Sequence, residues 1–196
     1  MNPQWLENHI RKYIRWGWQD ALLFTNIMLR KGWSFIRAAT KNEDMFELWD
    51  ILMKSTIGVE IEFEVKGPKN DIQGKTQEVY NRTVAEFVKE DKFGRPHIGW
   101  SIASKCKYFA LSDAISFSLI RKNNFRQFAE SHIRPELGII EKKHEDIVPS
   151  YQMYFRDTKP KERCMFVDFV DLKPITDKKI LIPENLRNHY EDDNTR

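Results

Sequence analysis

Apolar residues recur at helical spacing from the start of the chain: Trp5, Leu6, Ile10, Tyr13 and Ile14, then Trp18, Ala21, Leu22, Ile27 and Met28. This spacing predicts a helical region over residues 3–30, divided by Gly17 into two helices and closed by Lys31-Gly32. The period then falls to two. Residues 32–39 read as a first strand, with Trp33, Phe35 and Ala39 alternating against Ser34 and Ile36. A polar, acid-rich connection over 40–47 leads into an apolar run over 48–53, and Lys54-Ser55-Thr56-Ile57-Gly58 has the chemistry of a turn. Beyond it, Val59, Ile61, Phe63 and Val65 alternate with Glu60, Glu62, Glu64 and Lys66. One face of that strand is apolar and the other charged. Residues 83–88 predict a third strand of this hairpin region, followed by a turn over 91–96. Short apolar runs follow at 99–103, 107–111 and 115–120, then a helix over 125–133 that Pro135 ends. Runs at 151–156 and 165–172 predict a β-hairpin about a charged turn, and residues 191–196 are expected to be a disordered tail.

One acid, Asp50, interrupts the apolar run between Trp49 and Ile51, where a carboxylate costs free energy unless it has a partner. With residues 54–58 as the loop, Met53 faces Val59 and Asp50 faces Glu62, which sets Asp50 one diagonal step from Glu64. Glu64 and Lys66 project to the same side of their strand, roughly 6–7 Å apart. Two carboxylates and an ammonium then converge. A hard cation such as Mg²⁺ takes one or two carboxylates plus water and phosphate oxygens, and lowers the pKa of the water it holds. A lysine beside it can hold a phosphate oxygen or orient the attacking water. Alternation alone describes equally well an amphipathic strand with a charged outer face. Asp50 inside its apolar run is what favours a site.

An acid on one strand, followed on the next by acid-x-Lys, here Asp50 and Glu64-Val65-Lys66, resembles the restriction-endonuclease-like PD-(D/E)xK nuclease superfamily. The resemblance spans about residues 20–172 and includes the segment 99–111, which is similar to one that carries further strands in phage, viral and archaeal members. No proline precedes Asp50, a departure from the family pattern. The resemblance implies an α/β fold with a mixed central sheet flanked by helices, here with N-terminal helices and a C-terminal β-hairpin. It implies Mg²⁺ or Mn²⁺ held by Asp50 and Glu64, with Lys66 placing water or phosphate for hydrolysis of DNA, as an endonuclease. In that family the first helix often adds an acid to the metal site, and Asp20 is the candidate here, with Glu7 behind it. A phage or viral source is implied as well, with homodimerisation left open.

Composition narrows the picture without deciding it. With 196 residues, 41% of them hydrophobic, the chain can build one core, and a single domain over 1–190 is expected: a helical region 1–31 and an α/β core 32–172. A net charge of +3 permits a polyanionic partner without requiring one. Two cysteines provide no disulfide framework, so a reducing, cytoplasmic location is expected, in the host cytoplasm if the protein is viral. The five histidines lack zinc-ligand spacing, and no P-loop, dinucleotide fingerprint or serine nucleophile elbow occurs. No apolar stretch approaches membrane-spanning length, so no membrane partner is expected. Lys69 and Lys75, in a Gly- and Pro-containing loop after Lys66, and Lys105 and Lys107 are the candidates for backbone contacts to nucleic acid. Two rival readings stay open. One is a non-catalytic nucleic-acid-binding module on the same fold, and the other an interaction protein docking through its aromatic N-terminal helices.

Overall fold

The computed structural model describes residues 2–13, 17–43, 47–67, 82–90, 95–142, 148, 150–156 and 162–186. The chain begins with α1 (Pro3–Tyr13) and α2 (Trp18–Arg30), separated at Gly17, whose φ of 73° lies in the left-handed region that a β-carbon disfavours. Three strands follow: β1 (Ser34–Ala38), β2 (Ile51–Lys54) and β3 (Glu60–Lys66). Next come β4 (Arg82–Glu90), β5 (Pro96–Ile98), the short helix α3 (Trp100–Ala103), β6 (Tyr108–Ser112), β7 (Ser116–Arg121) and α4 (Lys122–His132). The chain closes with β8 (Ile139–Lys142), β9 (Met153–Arg156), β10 (Glu162–Asp168) and β11 (Thr176–Leu181).

These strands form two mixed sheets. The first has six strands in the order β1-β2-β3-β6-β7-β11, with β3 and β6 parallel and the other neighbours antiparallel. The second has five, in the order β5-β4-β10-β9-β8, with β8 and β9 parallel. The architecture is therefore α/β. On one face of the first sheet, Phe24, Ile27 and Met28 of α2 and Leu6 and Ile10 of α1 pack over Ile51, Met53, Ile61, Phe63 and Val65. On the other face, Phe109, Leu111 and Ile120 meet Phe125 and Ala129 of α4 and Ala85, Phe87, Met165 and Val167 of the second sheet. A smaller cluster of Val84, Val148, Tyr154, Cys164 and Phe166 closes off the second sheet. Phe63 is fully buried and its ring lies 5.1 Å from that of Phe24 and 5.9 Å from that of Trp33. Phe63→Ala is expected to lower stability by about 3–5 kcal/mol, read as a lower urea midpoint with unchanged m-value.

The predicted helices and their glycine divider are present, as are the first strand, the hairpin and the β9–β10 pair. Four expectations are corrected. The register of the hairpin differs: Met53 pairs with Ile61, not Val59, and Leu52 pairs with Glu62. Its turn reaches to Val59, closed by a hydrogen bond from Ser55 N–H to the Val59 carbonyl at 2.8 Å and by Gly58 at φ 85°. Val59 therefore stands exposed outside the strand, and Asp50 comes level with Glu64 rather than diagonal to it. Residues 83–88 do form a strand, but it pairs with β5 and β10 in the second sheet, not with the hairpin. The run at 99–103, part of the segment that the resemblance expected to carry strands, instead holds the short helix α3, preceded by Gly99, where a β-carbon would lie 2.3 Å from the Glu86 carbonyl. Finally, one face of the hairpin sheet is covered by a second sheet as well as helices. β5, β8 and β11 have no counterpart in the sequence pattern. β11 carries Asp177, Lys178 and Lys179 on an edge strand with a register shift, which erases the apolar alternation. The expected tail at 191–196 lies outside the described residues.

Candidate functional site

Asp50, Glu64 and Lys66 come together at the C-terminal end of β3. Glu60, Glu62 and Glu64 share the face opposite Phe63, yet only Glu64 is buried, because Trp100 of α3 and Glu86 of β4 cover that end of the strand. Asp50 is 3% exposed and enters just before β2, its N–H bonded to the Phe63 carbonyl at 2.8 Å. Its carboxylate accepts the Val65 N–H through Oδ2 at 2.7 Å, so the acid predicted to need a partner finds one on the neighbouring strand. Glu64 forms an ion pair with Lys66. The Lys66 ammonium lies 5.3 Å over the Trp100 ring, which in turn stacks on Phe125 and meets Phe109 edge-on. Burial opposes the charge on Lys66. Glu64 first, then Asp50, with a smaller contribution from Glu86, outweigh it and hold the lysine pKa above its ordinary value.

The run into Asp50 is held under strain. Leu48 adopts φ 53°, uncommon for a residue with a branched side chain, and its carbonyl accepts the Ser104 hydroxyl. The Lys105 N–H binds the Glu47 carbonyl at 2.7 Å, so the segment between α3 and β6 clamps the backbone that positions Asp50. In the acidic connection before it, Glu43 has a structural role. Thr40 and Glu43 form a capping box, with Thr40 N–H to Glu43 Oε2 at 2.8 Å and Glu43 N–H to Thr40 Oγ at 3.3 Å. Arg37 grips both Glu43 oxygens at 2.7 Å and lowers the pKa of that carboxyl to about 2. A carboxyl with a depressed folded pKa stabilises the fold above its unfolded value of about 4.5, and that contribution is lost as pH falls toward 2. Glu43→Gln is expected to cost about 1 kcal/mol at pH 7, the partly exposed pair being screened, and nearly nothing at pH 2, read from urea midpoints at the two pH values.

Asp20 reaches the same neighbourhood from α2. A β-carbon on Gly67 would lie 2.2 Å from the Asp20 carboxylate, so the acid packs directly on the backbone that follows Lys66. The three acids do not close into a cage: among the described residues no group of three or more His, Cys, Asp or Glu encloses a metal position. Asp50 and Glu64 do fit the hard-oxygen donor set that Mg²⁺ takes from protein, one or two carboxylates with the remaining positions left to water and phosphate. Of the lysines expected to touch nucleic acid, Lys105 and Lys107 are exposed beside the site, and Lys105 is bonded to Glu47 at 3.2 Å. Lys69 and Lys75 lie outside the described residues. Arg121 and Arg126 are likewise engaged by Asp177 and Glu130, which weakens any basic surface there.

Glu86 is the residue that sequence reasoning missed. It sits on β4, its Oε1 accepting the Trp100 N–H at 3.4 Å, and its pKa is raised by burial and by Glu162, with Lys89 and Lys66 pulling the other way. Its signal was in plain view: a single acid inside Val84-Ala85-Glu86-Phe87-Val88, the same pattern that marked Asp50. Cys106 forms another wall, a buried thiol beside Glu64 whose pKa is pushed up to about 12 by burial. No reactive thiolate is therefore expected at the site.

Fold and site together define an α/β protein with a buried acid–acid–lysine constellation at the end of a parallel strand pair. No family model, curated protein or solved structure matches the chain. No helix among the described residues is long and apolar enough to cross a membrane.

Proposed function

We propose that the chain is a metal-dependent nuclease that hydrolyses phosphodiester bonds in DNA as an endonuclease. The observation that carries this reading is the burial of Asp50 and Glu64 at one strand end beside a half-buried Lys66, with the lysine held cationic by both acids. Asp50 and Glu64 would hold Mg²⁺ or Mn²⁺, which when bound supplies an activated water and stabilises charge developing at phosphorus. Asp50 is oriented for this by the Val65 N–H. Lys66 donates to a phosphate oxygen or to the attacking water, and Glu64 keeps that ammonium in place. Trp100 and Cys106 make the floor apolar, which strengthens each electrostatic contact. The same reading implies a cytoplasmic protein of phage or viral origin.

The test is cleavage of labelled duplex, single-stranded and four-way-junction DNA with Mg²⁺, Mn²⁺ or EDTA. Metal-dependent cleavage, absent in EDTA, is the expected result. The rival reading is a nucleic-acid-binding module without turnover on the same fold. Salt-dependent DNA binding with no cleavage of any substrate by folded protein would establish that rival instead.

A further inference from the structure

A cavity of about 600 Å³ opens where the end of α4 meets the segments before β9 and after β10. Its walls are Phe128, His132, Arg134, Tyr151, Val170 and Asp171. Three rings form a continuous surface: Phe128 stacks on His132 with centroids 3.9 Å apart, and His132 lies 5.4 Å from Tyr151. The Arg134 guanidinium sits 5.8 Å over the Tyr151 ring, and the Tyr151 hydroxyl donates to Asp171 Oδ2. His132 and Arg134 are exposed, and Val170 is 59% exposed.

Tyr151 is held there at a cost. Its φ of 68° is in the left-handed region, which strains a residue that carries a β-carbon. Its N–H binds the Phe166 carbonyl at 2.9 Å, and its carbonyl accepts the Arg134 N–H at 3.0 Å, so both sides of the peptide are pinned. Glycine would take this conformation freely, but it would bring neither a ring nor a hydroxyl to the cavity. Tyr151 itself is 6% exposed and belongs to the core under α4, so it fixes the inner wall of the cavity while His132 and Arg134 form its exposed rim.

We propose that this cavity binds one unpaired nucleotide. The exposed face of His132 stacks on the base, the Asp171 carboxylate accepts from its amino edge, and Arg134 holds its phosphate. A nucleotide combines a plane, a donor edge and an anion, which the ring of His132, the carboxylate of Asp171 and the guanidinium of Arg134 complement, and about 600 Å³ is within the usual range for such ligands. Stacking tolerates any base, so discrimination falls to the Asp171 edge: bases with an exocyclic amino group bind better than thymine or uracil. The site needs neither Lys66 nor a metal, and it stands apart from the nuclease reading. The two are linked by α4, whose Phe125 stacks against Trp100 beneath Lys66. At a helical rise of 1.5 Å per residue, His132 is about 10 Å further along.

The test is fluorescence anisotropy of labelled hexanucleotides, ribose and deoxyribose, against a matched duplex, all in EDTA so that cleavage plays no part. Nucleoside monophosphates serve as competitors and separate a free nucleotide from a strand end. Single strands are expected to bind better than duplex. His132→Ala and Arg134→Ala should each weaken binding roughly 5- to 100-fold, whereas His132→Phe, which keeps a ring, should restore most of it. Both positions are exposed, and unchanged thermal melting of the variants excludes misfolding as the cause. The proposal is overturned if wild-type protein binds no single strand or monophosphate, or if it binds them equally well after both alanine substitutions. Because binding is read without turnover, a chain that proves not to be a nuclease leaves this result intact, and the reverse also holds.

Discussion

Asp50→Asn is expected to leave the protein folded and abolish metal-dependent cleavage. The asparagine amide oxygen can go on accepting the Val65 N–H that Asp50 now takes at 2.7 Å, so the backbone at the site keeps its partner. Stability should fall by only about 1–2 kcal/mol, since a neutral acceptor replaces a charged one beside Lys66. The ligand charge is gone, however, and a metal supplies several kcal/mol of transition-state stabilisation, so cleavage should fall by roughly 100-fold or more. Asp50→Ala separates the two roles. It also removes the acceptor, leaving a buried N–H unsatisfied at a cost of about 1–3 kcal/mol. Urea denaturation of the three proteins, alongside cleavage across a Mg²⁺ titration, checks both halves. An asparagine variant that cleaves like wild type would remove Asp50 from the metal site and leave it a structural acid.

Lys66→Met should show the largest combined effect. Methionine fills the space of the lysine stem over Trp100 but removes the cation that Glu64, Asp50 and Glu86 all face. Deleting one partner of a buried ion pair strands the other charge, which typically costs about 3–5 kcal/mol. Loss of the group that holds the phosphate or water should reduce cleavage by roughly 100- to 1,000-fold besides. The pH dependence has a definite sign. The folded pKa of Lys66 is raised, so its contribution is complete below the unfolded value of about 10.4 and disappears only as pH rises through the higher folded value. The stability gap between wild type and Lys66→Met should therefore stay level from pH 7 to pH 10 and narrow only in stronger alkali. A gap that closes near neutrality would mean that the lysine is not held charged by its neighbours.

Local pattern carried much of this molecule. Helical spacing marked α1 and α2, Gly17 and Gly32 marked their ends, and period-two alternation marked β3, because each of these depends on residues a few positions apart. The site was legible for a related reason: a lone acid in an apolar run, as at Asp50, announces that some partner is needed without saying which. The same signal at Glu86 passed unnoticed because no second acid-x-Lys pattern stood beside it.

Other features depend on which surfaces meet. The hairpin register turned on whether Val59 belongs to strand or turn, a two-residue difference that moves Asp50 from diagonal to level with Glu64. The second sheet, and with it the burial of Glu64 under Trp100 and Glu86, arises from pairing between residues 82–90 and 162–168, whose separation along the chain leaves no local trace. The cavity at Tyr151 needs three distant segments and a backbone conformation that tyrosine avoids by itself. Sequence alone determined which segments are helical, which alternate and which acid is out of place, since propensity and periodicity act within a few residues. Only tertiary structure decided which acids lie within reach of the lysine and which rings share a cavity, since burial and long-range strand pairing act between residues that the chain keeps far apart.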